Sequence, residues 1–252
     1  ENGCLGFDGR VVNALTGIDL EKRLKEKNAR ILCSDDLINE IWEDRPLLSE
    51  EPAFDLDVKY AGETVASKLA RIREEMKEAG TNVHVVSTID DICWTLNIRG
   101  NDIDFFPLVL SYGIITMDSF ELYIDEKKLD DKLKAKLAKD GVNLHPYNDI
   151  YEDVKKFGSD VVAMIDPGKL NYALFNNIPE NVKTVEKRNP AILMKAIKNP
   201  VEIENIRKAQ IKDSVAHVRF MKWLKENVGK MRITEMSASD KLDEFRAEMG
   251  KF

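Results

Sequence analysis

Histidine and cysteine are scarce, three of each in 252 residues, and neither type clusters. Cys4, Cys33 and Cys93 lie too far apart in sequence for a metal knuckle or a disulfide framework. They are expected to be buried free thiols of a reducing, cytoplasmic protein. No stretch approaches the ~20 apolar residues that a membrane-spanning helix needs, and the start carries no basic-then-apolar leader. Basic runs are missing too, and the net charge is −7. A concentrated cationic surface for nucleic acid is therefore not expected. The phosphate-cradling and nucleophile-elbow glycine motifs are absent; "LGFDG" and "DPG" come nearest but lack the spacing. These absences remove nucleotide, serine-hydrolase, membrane and nucleic-acid functions from first consideration.

What is present is an ordinary globular balance, 43% hydrophobic and 33% charged, with apolar residues enough for real cores. The element pattern alternates α and β. After the run "CLGFDGRVV", a helix is expected near "TGIDLEKRLKEKN" with Thr16 as its cap, then the strand "ARILCS" and a short helix "DDLINEIWEDRP" stopped by Pro46. Residues 47–60 carry acids and proline without period and read as a linker. The segment "AGETVASKLARIREEMKEAG" predicts an amphipathic helix with Val65, Leu69, Ile72 and Met76 inside and Gly80 at its end. Beyond it, "NVHVVST" reads as a strand and "IDDICWTLNI" as a helix turning into the loop "RGNDIDFFP". The runs "LVLSYGIITMD" and "SFELYID" read as paired strands, and "KLDDKLKAKLAKDG" as a helix.

Residues 161–199 then repeat the order strand, Asp-containing turn, helix, strand, helix already met in residues 3–46. The match is one of element order. The first copy has almost nothing ahead of it, so part of its domain is expected to be missing. After Pro200, which suits a helix's first turn, a long helix is expected with Ile206, Ala209, Ala216, Phe220 and Trp223 on one stripe. A second follows, capped by Thr234. Two such helices cannot cover their apolar faces alone, and a further domain is expected to begin here.

None of the candidate chemical residues forms an assembled active site. His84 inside a strand reads as a packed histidine. His145, before Pro146, reads as the start of a loop, and His217 as the margin of the long helix's stripe. No helical i, i+4 pair of metal ligands is found among them. Asp90 and Asp91 are adjacent, so a capping role is expected rather than a catalytic pair. Arg99 is the most suggestive single residue. A structural ion pair with Asp102 or Asp104 is expected of it ahead of substrate contact. Trp42 and Trp94 are expected in the core. Read from its residues, the sequence thus assigns no catalytic residue and no metal ligand, and identifies no substrate-binding residue.

The passage "DICWTLNIRGNDIDFFPLVLSYGIIT" resembles the middle-domain signature of the larger, cytosolic-type Xaa-Pro aminopeptidases. "AILMKAIKNPVEIENIRKAQIKDSVAHVRFMKWL" resembles the junction into that family's catalytic domain, and "ITEMSASDKLDEFR" its second helix. The resemblance covers nearly the whole chain. It implies an α/β creatinase N-terminal-like domain, residues 56–198, with a mixed sheet flanked by helices. A partial copy of the same fold would precede it (1–55) and the first helices of a "pita-bread" metallopeptidase domain would follow (199–252). The implied activity is removal of the N-terminal residue that precedes proline, from proline-containing peptides. In the family two divalent ions, usually manganese, held by two Asp, one His and two Glu, activate water and polarise the carbonyl. Those ligands lie beyond the matching region, so Asp213 and Asp240 belong to the helical lead-in, and the chain is expected to hold no metal and to be inactive alone. The resemblance leaves room for a homodimer, and the Asn101–Asp104 loop for lining the peptidase cleft. The alternative is a standalone binding module of creatinase N-terminal type.

Overall fold

The computed structural model describes residues 2–250. They fall into two compact units. One comprises the residues up to Val58 together with Glu63–Ile197, the other Lys59–Gly62 together with the residues from Lys198 on.

The first unit opens with β1 (Cys4–Gly6), α1 (Ala14–Lys25), β2 (Arg30–Leu32) and α2 (Leu37–Ile41). β1 and β2 pair in parallel, which requires the crossover that α1 supplies. The cap of α1 is Asn13, whose side chain accepts the Thr16 N–H at 2.8 Å. Thr16, expected as the cap, is instead the third helical residue and contributes a backbone donor. α2 stops at Ile41, well before Pro46, and leaves Trp42 45% exposed; the expected core position of that ring is not met. Residues 47–60 are not a featureless linker, for they contain β3 (Phe54–Asp55), followed by α3 (Val58–Ala61).

Next comes α4 (Val65–Glu78), where Thr64 accepts the Ser67 N–H at 3.2 Å. Val65, Leu69, Ile72 and Met76 are all buried, and the helix ends at Gly80, whose φ of 67° only glycine adopts without strain. The unit continues through β4 (Val83–Val86), α5 (Ile89–Leu96), β5 (Ile98–Arg99), β6 (Tyr112–Thr116) and β7 (Phe120–Tyr123). It closes with α6 (Asp131–Lys139), β8 (Val142–His145), α7 (Ile150–Asp153), β9 (Val162–Ile165), α8 (Tyr172–Asn177), β10 (Lys183–Glu186) and α9 (Pro190–Ala196).

Six of these strands form one mixed sheet in the order β10-β9-β4-β6-β7-β8. β10, β9 and β4 run parallel, β6 is antiparallel to β4 and β7, and β7 is parallel to β8. Both faces are covered, and the two-residue side-chain period divides each strand between two cores. Val83, Val85, Ile114, Tyr123, Ala163 and Ile165 face one cluster with Ile150, Val154 and Leu174. Val86, Ile115, Phe120, Leu122 and Met164 face the other, with the buried stripe of α4 and with Leu133 and Leu137 of α6. The α1 and α8 helices touch through Gly17: a Cβ there would stand 2.2 Å from the Tyr172 ring.

The second unit is built on α10 (Pro200–Asn227) and α11 (Glu235–Glu248). Asn199 and Glu202 close a capping box, each side chain accepting the other's backbone N–H at 3.0 and 2.9 Å, and Pro200 sits in the first turn. Thr234 caps α11. The helices are joined by Arg246–Asp213 and Arg219–Glu248 ion pairs, both 2.8 Å. Of the expected stripe, Ala216 is buried, whereas Ile206 is 49% exposed and Ala209 is exposed. Two helices without a sheet leave apolar surface in water.

Candidate functional site

The passage 92–107 is a helix end, a two-residue strand and an anchored loop. α5 ends on Asn97 in the left-handed region, φ 53°, where asparagine is one of the few residues at ease. Its side chain is fixed on both sides. Lys68 Nζ donates to Asn97 Oδ1 at 2.6 Å and to Trp94 O at 2.7 Å, and Asn97 Nδ2 donates to Glu63 O at 2.9 Å. Lys68 is buried and lies over the Trp94 ring, 4.3 Å from its centroid. Trp94 is buried in the core. β5 then pairs antiparallel with β3, and Arg99 donates to the carbonyls of Cys93 and Ile98, each at 2.8 Å. Arg99 thereby gives the Cys93 carbonyl in the last turn of α5 a charged donor.

Asp102 is bound from elsewhere. Its Oδ2 accepts from Lys128 Nζ at 2.5 Å and from the Leu110 N–H at 2.7 Å. The two charged side chains are 1% and 2% exposed. Asp104 is exposed. The loop beyond it is closed by the Phe106 N–H on Ile103 O at 3.1 Å and holds Phe105 at φ 62° with its side chain wholly in solvent.

A second polar cluster sits at the carboxyl ends of β4 and β9, where open α/β sheets offer their crevices. Thr88, Asp90, Asp91, Asp166, Arg188 and Lys195 surround a cavity of about 350 Å³. Asp91 is buried and accepts from Thr88 Oγ1 at 2.6 Å, Lys195 Nζ at 2.7 Å and Asn189 Nδ2 at 2.9 Å. Lys195 also donates to Asp90. Burial works against the Lys195 ammonium, yet the hydrogen bonds and charges of Asp90 and Asp91 hold its pKa above the usual lysine value. The two acids therefore anchor α9 through Lys195. Neither is the cap of α5: both lie in its first turn, and the N-cap is Thr88, whose hydroxyl donates to Asp91.

The same network reaches His84. The ring is fully buried, with Nδ1 at 3.1 Å from Met164 O and Nε2 at 3.3 Å from Asn189 Oδ1. Burial lowers its pKa, against the hydrogen bonds to Met164 O and Asn189 Oδ1 and the charges of Asp91 and Asp166. His145 is the last residue of β8 rather than a loop start. It stacks on Tyr123 with centroids 4.9 Å apart and bonds Glu121 Oε2 at 2.6 Å. His217 is exposed, Asp213 pairs with Arg246, and Asp240 is exposed. Of the cysteines only Cys93 is fully buried, its thiol pushed up to about 11 by that burial; Cys33 is half-buried and Cys4 exposed, contrary to expectation. Among the described residues no three His, Cys, Asp or Glu side chains converge as metal ligands must. The described residues therefore offer no ligand set for a metal pair. No described helix is long and apolar enough to cross a membrane.

Sequence reasoning did not single out Lys68, Lys128 or Asn189. Lys68 falls three residues after Val65 and four before Ile72, inside the apolar stripe, and that position was its one available signal. Lys128 and Asn189 gave none.

Known proteins share both the sequence and the fold. The family described as the Creatinase/Prolidase N-terminal domain matches residues 44–202. A probable Xaa-Pro aminopeptidase P of Neurospora crassa is 32% identical over 98% of this chain and 38% of its own length. Xaa-Pro aminopeptidase app-1 of Caenorhabditis elegans is 34% identical over 98% of this chain and 41% of its own. The chain thus spans about two fifths of the length of the curated relatives it matches. The crystal structure of the X-prolyl aminopeptidase from Caenorhabditis elegans, a cytosolic enzyme with a di-nuclear active site, superposes with a TM-score of 0.91. That match has 32% identity over 97% of this chain and 41% of the other. An Xaa-Pro dipeptidase from Bacillus anthracis, 16% identical over 74% of this chain and 50% of its own, shares the fold with a TM-score of 0.55.

Proposed function

The chain belongs to the creatinase/prolidase N-terminal domain family, and from that premise we propose that it is the non-catalytic, N-terminal and middle portion of a metal-dependent Xaa-Pro aminopeptidase. The observation that carries the proposal is the TM-score of 0.91 with 32% identity to an X-prolyl aminopeptidase, sustained over 97% of the chain. On this reading residues 1–55 are part of a first creatinase N-terminal-like domain, 56–198 a second, and 199–252 the opening helices of the peptidase domain. The whole enzyme removes the residue preceding proline from proline-containing peptides in the cytoplasm. It uses two divalent ions, manganese, whose ligands come from the part of the relatives this chain does not span.

Two features support a scaffolding role for the residues at hand. Asp90, Asp91 and Arg99, the side chains best placed by sequence for chemistry, are engaged in holding α9 and the end of α5. The chain also brings together no set of metal ligands among its described residues. The substrate class is tested on the protein extended to the length of its relatives. It is expected to release the first residue of a peptide with proline second and to leave the alanine-second analogue intact. Equal turnover of the two peptides would remove the proline assignment.

A further inference from the structure

The cavity of about 350 Å³ lies where the sheet's connections part. β10, β9 and β4 are neighbouring parallel strands, and most of the cavity wall comes just after one of them. Arg188 follows β10, Asp166 and Lys169 follow β9, and Thr88, Asp90 and Asp91 follow β4. From β4 the chain enters α5, which packs into one core through Ile92, Trp94 and Leu96. From β9 it packs into the other core, through Leu170 and Leu174. Adjacent parallel strands whose connections leave to opposite faces open a crevice at their carboxyl ends, the usual place for a small ligand in an open α/β sheet. The volume is at the low end for a ligand pocket.

The charges on this wall are partly matched and partly not. Lys195 is held by Asp90 and Asp91. Asp166 accepts the backbone N–H groups of Gly168 and Asn189, each at 3.2 Å, but no cation among the described residues pairs with it. Nor does a described carboxylate pair with Lys169 or Arg188, both of which are exposed. The cavity thus presents two unmatched cations and one unmatched acid, while the acid pair around Lys195 carries one negative charge in excess. Together these six groups sum to zero. A simple anion would find Lys169 and Arg188 but would also meet the acids, and a simple cation would meet the reverse. A molecule carrying both signs side by side satisfies both sets. The α-amino acid zwitterion is the simplest such group. Its carboxylate matches the planar donor fork of Arg188, and its ammonium brings N–H donors to Asp166. Ile192, an apolar part of the wall, suits an aliphatic side chain. We propose that this cavity binds a free aliphatic α-amino acid, its carboxylate on Arg188 and Lys169 and its ammonium on Asp166.

The test is a titration of the isotopically labelled 252-residue chain, followed by amide NMR, with L-leucine and with its two halves. Isocaproate keeps the carboxylate and lacks the ammonium; isoamylamine keeps the ammonium and lacks the carboxylate. L-Leucine is expected to give saturable shifts centred on Thr88, Asp166, Lys169 and Arg188. Each half is expected to bind at least about tenfold more weakly, a difference of about 1.4 kcal/mol. Arg188→Gln alters an exposed side chain, so it is expected to keep a dispersed folded spectrum and to weaken leucine binding by a similar factor. Absence of saturable shifts at these residues up to the solubility limit of leucine would overturn the proposal. Isocaproate binding as tightly as leucine would overturn it too, leaving an anion site, and equally tight isoamylamine would leave a cation site. A folded Arg188→Gln protein that binds leucine as the parent does would contradict the place given to the carboxylate.

Discussion

Lys128 and Asp102 show what a single residue costs when its partner is taken away. Each is almost wholly buried, and an isolated charge there has no solvent to fall back on. Lys128→Met is expected to lower the unfolding free energy by about 3–5 kcal/mol, while the double change to Met and Leu lies close to the parent. Urea titrations of the three proteins check this, and a single variant as stable as the parent would contradict it. His84 gives a pH dependence of definite sign. Burial holds its pKa below the usual histidine value of 6.5, so the unfolded chain binds the proton first. Its contribution to stability is complete above about pH 6.5 and is lost as the pH falls below that value. His84→Gln is expected to flatten the fall in urea midpoint between about pH 7 and pH 5. An unchanged slope would assign the acid sensitivity to other groups. At this scale the sequence was readable where a residue's own surroundings decide its role. His84 and Trp94 are packed as their apolar neighbours suggested. Trp42 is not, because what would cover it does not come from its local sequence.

At the scale of elements, patterns of spacing carried most of the fold. The stripe of α4, its end at Gly80, the paired strands β6 and β7, and the recurrence of strand, helix, strand, helix could all be read from periodicity and turn residues. Caps were legible only when one candidate stood alone. Thr234 and Pro200 were placed correctly, whereas at α1 both Asn13 and Thr16 can cap and the backbone chose the earlier one. Asn13→Ala is therefore expected to destabilise the chain by about 1 kcal/mol and Thr16→Val by much less, as thermal melts can show. The tip of the 101–107 loop was hidden for another reason. Nothing in "NDIDFFP" says that Phe105 takes a left-handed conformation, a cost of about 1–2 kcal/mol for a bulky residue. Phe105→Gly removes that strain and exposes no core, and is expected to raise stability by roughly 0.5–1 kcal/mol after the entropy of glycine is counted. A lower melting temperature for this variant would mean that the ring contributes a contact.

Over the whole molecule, the family was legible because its signature is a run of neighbouring residues. The polar sites were not, because they are assembled from distant ones: Asp102 meets Lys128 across 26 positions, and Asp91 meets Lys195 across 104. A periodic reading cannot find such pairs, and the sequence also promised less order in residues 47–60 than the pairing of β3 with β5 provides. On the proposed function, the residues at hand belong to a peptidase without performing its chemistry. The most direct measurement is release of the N-terminal residue from an Xaa-Pro peptide by the 252-residue chain in excess manganese, with the bound metal quantified in the same sample. On that reading no turnover and no stoichiometric metal are expected; turnover accompanied by bound metal would contradict it and make His84, His145 and their neighbouring acids candidate metal ligands.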